Sequence, residues 1–271
     1  MITSLANARI KHLKELQQKA RTRNKEKLFV IEGFKLFDEA PAELIKEIYV
    51  EESAYDKIKG CSKDTPLSFL GRVYEKVIEC EKRGIPVETV TGEVFRKASD
   101  TETPQGILCV VGMPSYNLSK LLQGGNLLVL EDIQDPGNLG TMIRTGEGAG
   151  IAGIVLSKGC VDIFNPKTIR STMGSLFRVP FVYVEDIIEA VREIKKSGKT
   201  VYAAHLKGKE SYDEICYEND SVFLIGNEGN GLSDSLSNEA DKYLIIPMGG
   251  KLESLNASIA AAILMYQARK R

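Results

Sequence analysis

The chain has 271 residues, of which 43% are hydrophobic, which is enough for one large domain or two ordinary ones. Its formal net charge of −1 excludes a uniformly basic surface. The longest apolar runs fall well short of the roughly 20 residues that a membrane helix needs, so no membrane association is predicted. Two histidines and five cysteines without a C-x-x-C pair predict no metal site and a reduced, cytoplasmic protein.

The first 27 residues carry a local excess of positive charge, with eight basic residues against two acidic ones. Leu5, Ile10, Leu13 and Leu16 recur at a spacing that places them on one face of a helix. The segment is therefore predicted to be a basic helix or arm. Its charge fits a phosphate-bearing partner, but a solvated helix face is the simpler alternative.

Short apolar runs alternate with amphipathic segments over the rest of the first 113 residues, and this alternation predicts a small α/β domain. A segment rich in Pro, Ser, Gly and Asn at 114–126 is the predicted linker. Strands are predicted at 28–33, 45–50, 85–91 and 106–112, and helices at 34–40, 72–84 and 92–97.

The alternation restarts at residue 127 and continues to residue 271, which defines a second predicted domain. Its apolar runs predict a parallel sheet with helices on both faces. Strands are predicted at 127–132, 153–157, 179–184, 200–206, 222–226 and 243–248, and helices at 138–149, 166–177, 186–198 and from about 255 onwards.

Two stretches imitate nucleotide-binding motifs. GAGIAG (148–153) has the G-x-G-x-x-G spacing, but it is predicted to lead from a helix into a strand, with Gly150 as the helix cap. SGKT (197–200) ends like a P-loop but has Glu193 where that motif needs glycine. Neither stretch is predicted to bind a nucleotide.

Three stretches of the second domain carry polar residues where function is expected. In the first, residues 130–150, a buried strand leads through DPGN to Asn138, the predicted helix cap, and then to Arg144. Ligands of open α/β sheets bind at such carboxyl ends of strands. A plain turn followed by a surface charge is the alternative interpretation.

The second stretch, FLIGNEGNGLS (223–233), places Glu228 between glycines, where a packed core has no need of it. The third, residues 245–271, contains Ser254 and Asn256 at the start of the last helix, and Ser254 is the predicted N-cap.

Together, DPGNLGTMIRTGEGAG, IGNEGNGLS and IPMGGKLESLNASIAAAILMYQ resemble the three motifs of the SpoU/TrmH family of RNA ribose 2′-O-methyltransferases, within the SPOUT superfamily. NPKTIRSTMGSLFRVPF (165–181) resembles the segment between the first two motifs. The resemblance implies an α/β fold: a parallel-sheet SPOUT domain at 127–271 with a deep trefoil knot, preceded by a ribosomal-protein-like, RNA-binding α/β domain at 1–113.

The resemblance also implies S-adenosylmethionine as the methyl donor, and a homodimer with the active site near the dimer interface. The 138–149 helix and the last helix are the candidates for that interface. The implied cofactor residues are Gly226, Ile246 and Leu255, and the implied catalytic residues are Arg144, Asn138, Glu228, Ser254 and Asn256.

The N-terminal domain is expected to select the RNA, and the 2′-hydroxyl distinguishes RNA from DNA. Ribosomal RNA, 23S in particular, is favoured over transfer RNA, and a role in antibiotic resistance stays open. The alternatives to a methyltransferase are a catalytically silent RNA-binding protein and a nucleotide-dependent oxidoreductase. The candidate phosphate contacts are Lys11, Lys14, Lys19, Arg21 and Arg23.

Overall fold

The structure is a computed structural model that describes residues 1–64, 68–205, 208, 210–217 and 220–269. Leu206, the last residue of one predicted strand, and residues 270 and 271 lie outside the described residues. The chain forms two compact units, Met1–Pro114 with Phe164–Phe177, and Ser115–Ile163 with Arg178–Arg271. The predicted domain limits of 1–113, 114–126 and 127–271 stay a prediction.

The first 114 residues alternate helices and strands as the sequence predicts. The elements are α1 (Ala8–Gln18), α2 (Ala20–Glu26), β1 (Leu28–Glu32), α3 (Phe34–Glu39), β2 (Ile45–Glu51), α4 (Glu52–Asp64), α5 (Phe69–Lys82), β3 (Val87–Val90), α6 (Gly92–Ala98) and β4 (Ile107–Gly112). The four strands form a mixed sheet in the order β1-β4-β2-β3, in which β4 pairs antiparallel with β1 and β2, and β2 pairs parallel with β3.

The basic N-terminal segment folds as two helices rather than an extended arm. Asn7 caps α1 by accepting a hydrogen bond from the Arg9 amide. Ile10, Leu13 and Leu16 are almost completely buried in the core of the first unit, as their helical spacing predicts.

The remaining residues build a second sheet. The elements are α7 (Leu118–Leu122), β5 (Leu127–Leu130), α8 (Pro136–Ala149), β6 (Gly153–Ser157), α9 (Pro166–Thr172), a 3-10 turn (Ser175–Phe177), β7 (Phe181–Val184), α10 (Ile187–Lys196), β8 (Thr200–Ala204), β9 (Glu210–Ser211), β10 (Ser221–Ile225), α11 (Asp234–Ser237), β11 (Lys242–Ile245) and α12 (Ala257–Gln267). Of these, α9 and the 3-10 turn belong to the first unit.

The second sheet has seven parallel strands in the order β7-β6-β5-β10-β8-β11-β9. The predicted parallel α/β fold is therefore confirmed, and the knot stays a prediction. After β5 the chain continues to β6 and β7 on one side of the sheet, whereas after β10 it continues to β11 on the other side, where β8 and β9 also lie. The gap between the carboxyl ends of β5 and β10 is thus a topological switch point, where open α/β sheets bind ligands.

Both imitation motifs connect a helix to a strand. Gly150 ends α8 in the left-handed conformation, at φ 76°, and β6 follows. Lys199 of SGKT is 4% exposed and donates a hydrogen bond to the carbonyl of Gly125 at 3.1 Å. Its ammonium therefore stabilises a turn, in agreement with the rejection of a P-loop.

No helix in the described part of the chain is long and apolar enough to cross a membrane. Within the same residues, no group of three or more His, Cys, Asp or Glu side chains is arranged to hold a metal ion.

Candidate active site

A carboxylate from the glycine-rich loop organises the polar groups at the switch point. Glu228 follows β10, and its two oxygens accept hydrogen bonds from the loop that follows β5. The Gln134 amide donates to Oε2 at 3.0 Å, and the Asp135 amide donates to Oε1 at 3.1 Å. Asn138 Nδ2 also donates to Oε1, at 3.0 Å. Glu228 therefore holds the start of α8 against the glycine-rich loop.

The network continues into the last helix. Asn256 Nδ2 donates to Asn138 Oδ1 at 3.0 Å, while Asn256 Oδ1 accepts from the Ser258 amide at 2.9 Å. Glu228, Asn138 and Asn256 come from three separate stretches of sequence, and one chain of hydrogen bonds joins them. Three of the five predicted catalytic residues are thus brought into direct contact.

The donors around Glu228 set its charge state. Burial raises the pKa of the carboxyl group, but the hydrogen bonds from Asn138, Gln134 and Asp135 favour the carboxylate and outweigh burial. The pKa of Glu228 therefore lies below its ordinary value of 4.5. At neutral pH the site contains an anion that only accepts hydrogen bonds, so the donors that face it are fixed in orientation.

Arg144 lies on α8 and is exposed. Within the described part of the chain, the structure assigns its guanidinium no hydrogen bond and no ion pair. Because no neighbouring carboxylate neutralises it, this cation remains available to an anionic ligand such as a phosphate.

Two predicted helix caps are wrong by a few residues. Asp135 caps α8 by accepting from the Asn138 amide at 2.8 Å, so Asn138 lies inside the first turn and its side chain is free for the site. The reason is Pro136, because proline favours the first helical position and makes the residue before it the cap. Asn256, not Ser254, caps α12, which begins at Ala257.

A cavity of about 350 Å³ lies beside the network, between the glycine-rich loop and the segment that leads into α12. All three predicted cofactor residues, Gly226, Ile246 and Leu255, line it, and so do Glu228 and Ser254. Apolar side chains and loop backbone form most of its wall. The volume is in the range of small-molecule sites, which typically combine apolar walls with a few polar groups.

Gly226 is required by the loop's own backbone. A Cβ atom at this position would lie 2.1 Å from the Gly231 carbonyl carbon and 2.2 Å from the Leu232 amide nitrogen. The loop closes on itself there, because Asn227 and Gly231 exchange backbone hydrogen bonds at 3.0 and 2.9 Å. The close approach to Gly226 is therefore made within the loop, and it shapes the cavity wall.

The five candidate phosphate contacts differ in their surroundings. Lys11 and Arg21 are exposed and Lys14 is half-buried. Lys19 is exposed but forms an ion pair with Glu15 at 2.8 Å. The prediction for Arg23 is wrong, because this residue is only 3% exposed and donates to the Leu16 and Gln17 carbonyls at 2.8 and 3.0 Å. Arg23 instead joins α2 to the end of α1.

Sequence reasoning missed the backbone donors of the site. The amides of Gln134 and Asp135 bind Glu228 directly, and only the Asp-Pro pair at 135–136 signals a tight turn with exposed amides there. It also missed Glu131, whose carboxylate accepts from the Ser233 amide at 2.8 Å and from the Ser233 hydroxyl at 2.6 Å. Glu131 thereby anchors the far end of the glycine-rich loop.

The fold and the site define an α/β protein with a ligand-sized cavity at the carboxyl ends of parallel strands, and comparison with known proteins identifies the family. The SpoU rRNA Methylase family model matches residues 125–266, and an MRM3-like substrate binding domain matches residues 7–109. The chain therefore belongs to the SpoU rRNA methylase family, as its three motifs predict.

Individual relatives agree over the whole chain. The chain is 35% identical to the 23S rRNA (guanosine(2553)-2′-O)-methyltransferase RlmP of Bacillus subtilis, over 99% of this chain and 98% of RlmP. An AdoMet-bound rRNA methyltransferase from Sinorhizobium meliloti is 31% identical with a TM-score of 0.81, over 99% of this chain and 96% of that one. A solved RNA 2′-O ribose methyltransferase is 26% identical with a TM-score of 0.76, over 98% and 97% of the two chains.

Proposed function

We propose that this protein transfers the methyl group of S-adenosylmethionine to a ribose 2′-hydroxyl of 23S ribosomal RNA. The observation that carries the proposal is the chain of hydrogen bonds from Glu228 through Asn138 to Asn256 at the edge of a cavity of small-molecule size. The activity of the B. subtilis relative RlmP, which spans nearly the same length, supports the reaction and the RNA class.

The cavity suits S-adenosylmethionine. Ile225, Ile246 and Leu255 provide apolar surface for an adenine ring, and the backbone of the glycine-rich loop provides hydrogen-bonding groups for its edge and for the ribose. When bound, the cofactor supplies a methyl group activated by a positively charged sulfur. We place Gly226, Ile246 and Leu255 in this binding site, with Ser254 beside them.

The ribose 2′-hydroxyl is a poor nucleophile, so the chain must orient it and favour loss of its proton. We assign Arg144 to the phosphate next to the target ribose and to the negative charge that develops on the attacking oxygen. An arginine with an ordinary pKa above 12 is better suited to this electrostatic role than to accepting a proton. Glu228, Asn138 and Asn256 fix the pocket in which the ribose is held.

The first unit would select the RNA. Its match to an MRM3-like substrate binding domain, the exposed Lys11 and Arg21, and the half-buried Lys14 support a phosphate-contacting role. A ribosomal RNA substrate would place the enzyme in the cytoplasm.

We also propose a homodimer, in which α8 and α12 provide the contact. Transfer RNA is the alternative substrate.

The test measures methyl transfer from labelled S-adenosylmethionine to 23S rRNA transcript, assembled large ribosomal subunits and transfer RNA. Digestion and mass spectrometry then identify the labelled nucleoside. The matched variants are Arg144→Ala and Arg192→Ala, because Arg192 is an exposed arginine on α10 that pairs with Glu239. We expect Arg144→Ala to lose turnover by about a hundredfold or more while it still binds cofactor. Arg192→Ala should behave like the wild type.

Label in transfer RNA alone would overturn the ribosomal assignment. Absence of label from all three RNAs, with cofactor bound, would identify the chain as a silent RNA-binding protein. Loss of cofactor binding by Arg144→Ala would contradict the role assigned to this residue.

A further inference from the structure

Asp132 has an unusual backbone conformation at the point where β5 meets the site. Its φ angle is +53°, one of four positive values at non-glycine residues in the described part of the chain. Side chains rarely adopt this left-handed region, although Asp and Asn tolerate it best. Gly159 packs against the carboxylate so closely that a Cβ atom there would lie 2.0 Å from Asp132 Oδ1. The surrounding structure is therefore built around this aspartate.

Asp132 joins the loops that follow three adjacent strands of the sheet. Ser157, at the end of β6, donates its hydroxyl to Asp132 Oδ1 at 2.6 Å and accepts the Asp132 amide at 2.9 Å. Asn227, after β10, donates its side-chain amide to the Asp132 carbonyl at 2.8 Å. Gln134 Nε2 donates to the same carbonyl at 3.0 Å and to the Gly159 carbonyl at 2.7 Å.

These bonds fix the backbone just before the residues that hold Glu228. Only Ile133 separates Asp132 from the Gln134 and Asp135 amides, and Ile133 is itself held, since its amide donates to Cys160 Sγ at 3.3 Å and its carbonyl accepts from the Val161 amide at 2.8 Å. A change in the Asp132 backbone would therefore rotate the two amides that bind the Glu228 carboxylate.

We propose that Asp132 is a positioning residue for methyl transfer: its left-handed backbone and its hydrogen bonds to Ser157 and Asn227 aim the Gln134 and Asp135 amides at Glu228. This inference rests on the proposed function. The Asp132 carboxylate takes no part in the chemistry, because it accepts the hydrogen bond from the Ser157 hydroxyl, and its negative charge is not required. The requirements are a residue that tolerates positive φ and an acceptor for Ser157.

Three substitutions separate these requirements. Asp132→Asn keeps both the tolerance and an acceptor, so kcat should stay within about twofold of the wild type. Asp132→Gly keeps the backbone but loses the acceptor, and Asp132→Ala loses both. We expect kcat to be highest in the asparagine variant, lower in the glycine variant and lowest in the alanine variant. The alanine variant should lose about ten- to a hundredfold in kcat, because small displacements of active-site groups reduce the rate by that factor. The Kd for S-adenosylmethionine and the KM for RNA should not change.

Ser157→Ala removes the same hydrogen bond from the other side. If the bond is the cause, the Asp132→Gly, Ser157→Ala double variant should lose no more activity than the worse single variant. Amide hydrogen exchange, measured by NMR, provides a readout without turnover. Exchange at Gln134 and Asp135 should accelerate in the alanine variant and stay slow in the asparagine variant.

The inference is overturned if Asp132→Asn is as impaired as Asp132→Ala, if cofactor affinity falls in step with kcat, or if exchange at Gln134 and Asp135 is the same in all variants. A wild-type enzyme that methylates none of the RNAs would instead refute the proposed function, and the exchange measurements would still decide whether Asp132 sets the orientation of the two amides.

Discussion

At the scale of single residues, the site depends on one carboxylate that receives three N–H donors. The same three donors lower the pKa of Glu228. Protonation of its carboxylate and loss of its hydrogen bonds to Gln134, Asp135 and Asn138 are therefore linked. This group is exposed to solvent, and its contribution to stability is correspondingly small.

Glu228→Gln should reduce the free energy of unfolding at neutral pH by about 1 kcal/mol or less, because the neutral amide accepts fewer hydrogen bonds. A carboxyl with a lowered folded-state pKa stabilises fully above its ordinary value of 4.5, and this stabilisation is lost as pH falls through the lower folded value. The advantage of the wild type over the variant should therefore vanish in acid. Urea unfolding of both proteins at about pH 7 and about pH 3 measures it. An advantage that is as large at the lower pH as at neutral pH would contradict a lowered pKa of Glu228.

Gly226→Ala should damage the proposed cofactor site. The added methyl group meets backbone atoms at 2.1 and 2.2 Å, which cannot move without opening the loop. We expect a loss of about 1–3 kcal/mol in stability and at least a tenfold weaker Kd for S-adenosylmethionine, measured by urea unfolding and calorimetry.

Gly229→Ala is the matched control, because its nearest contact would be Asn227 Oδ1 at an ordinary 3.5 Å. It should stay within about 0.5 kcal/mol of the wild type. Equal losses in the two variants would mean that the loop needs glycine for flexibility rather than for the close approach at Gly226.

At the scale of secondary-structure elements, runs of β-branched and aliphatic residues predicted every strand longer than two residues, because buried strands are continuous apolar segments. The two-residue β9 carries too little pattern to be recognised. The segment ESAYDKIKGCSKD forms α4, although it contains Gly, Ser and Asp, which lower helix propensity. Its helical conformation is therefore set by packing rather than by the preferences of its residues.

The site was predictable in part. The resemblance of its three motifs to those of the SpoU/TrmH family implied Glu228, Asn138 and Asn256, and a packed core has no need of a carboxylate between glycines such as Glu228. The contacts between them were not predictable, since they join residues 90 and 118 positions apart in the chain. Backbone donors such as the Gln134 amide leave no trace in the residue type.

Charge counting also failed for Arg23, because the number of basic residues in a segment does not show which of them is buried. Arg23→Ala should destabilise the protein by about 2 kcal/mol, since the Leu16 and Gln17 carbonyls lose their donor.

Lys11→Glu with Lys14→Glu should leave stability unchanged, weaken RNA binding and reduce its salt dependence. Urea unfolding and filter binding at several salt concentrations measure the two effects.

Lys19→Glu serves as the comparison, because Lys19 already forms an ion pair with Glu15. The loss of the Lys19 charge should therefore weaken RNA binding less than the loss of Lys11 and Lys14. If all the lysines contribute equally, or if Arg23→Ala affects RNA binding and not stability, the division between structural and exposed cations is incorrect.

At the scale of the whole molecule, α12 presents apolar side chains to solvent along one stripe. Ile259 is 49% exposed and Tyr266 is 50% exposed, and Ala262 and Ile263 between them are half-buried. Residues at this spacing lie on one face of a helix, and α12 also packs against α8 of the same chain. A stripe of this kind fits the proposed contact with a second copy of the chain.

Ile259→Glu should raise the dimer dissociation constant by about a hundredfold or more, because it places an unpaired charge in an apolar contact. Analytical ultracentrifugation over a range of concentrations measures the constant. Phe69→Glu, at another exposed apolar residue, should leave it unchanged. A monomeric wild type, or equal effects of the two substitutions, would refute α12 as the contact.

The chain crosses between its two units three times, after Pro114, after Ile163 and after Phe177. The short piece 164–177 supplies the first unit with Phe164 and Phe177, whose rings lie 4.8 and 6.2 Å from that of Phe29. Neither unit is therefore encoded by one uninterrupted stretch of gene. Recombination at the linker alone would separate Phe29 from Phe164 and Phe177. In evolution, the first unit is therefore exchanged intact between relatives only if the fourteen codons for residues 164–177, inside the methylase region, are exchanged with it.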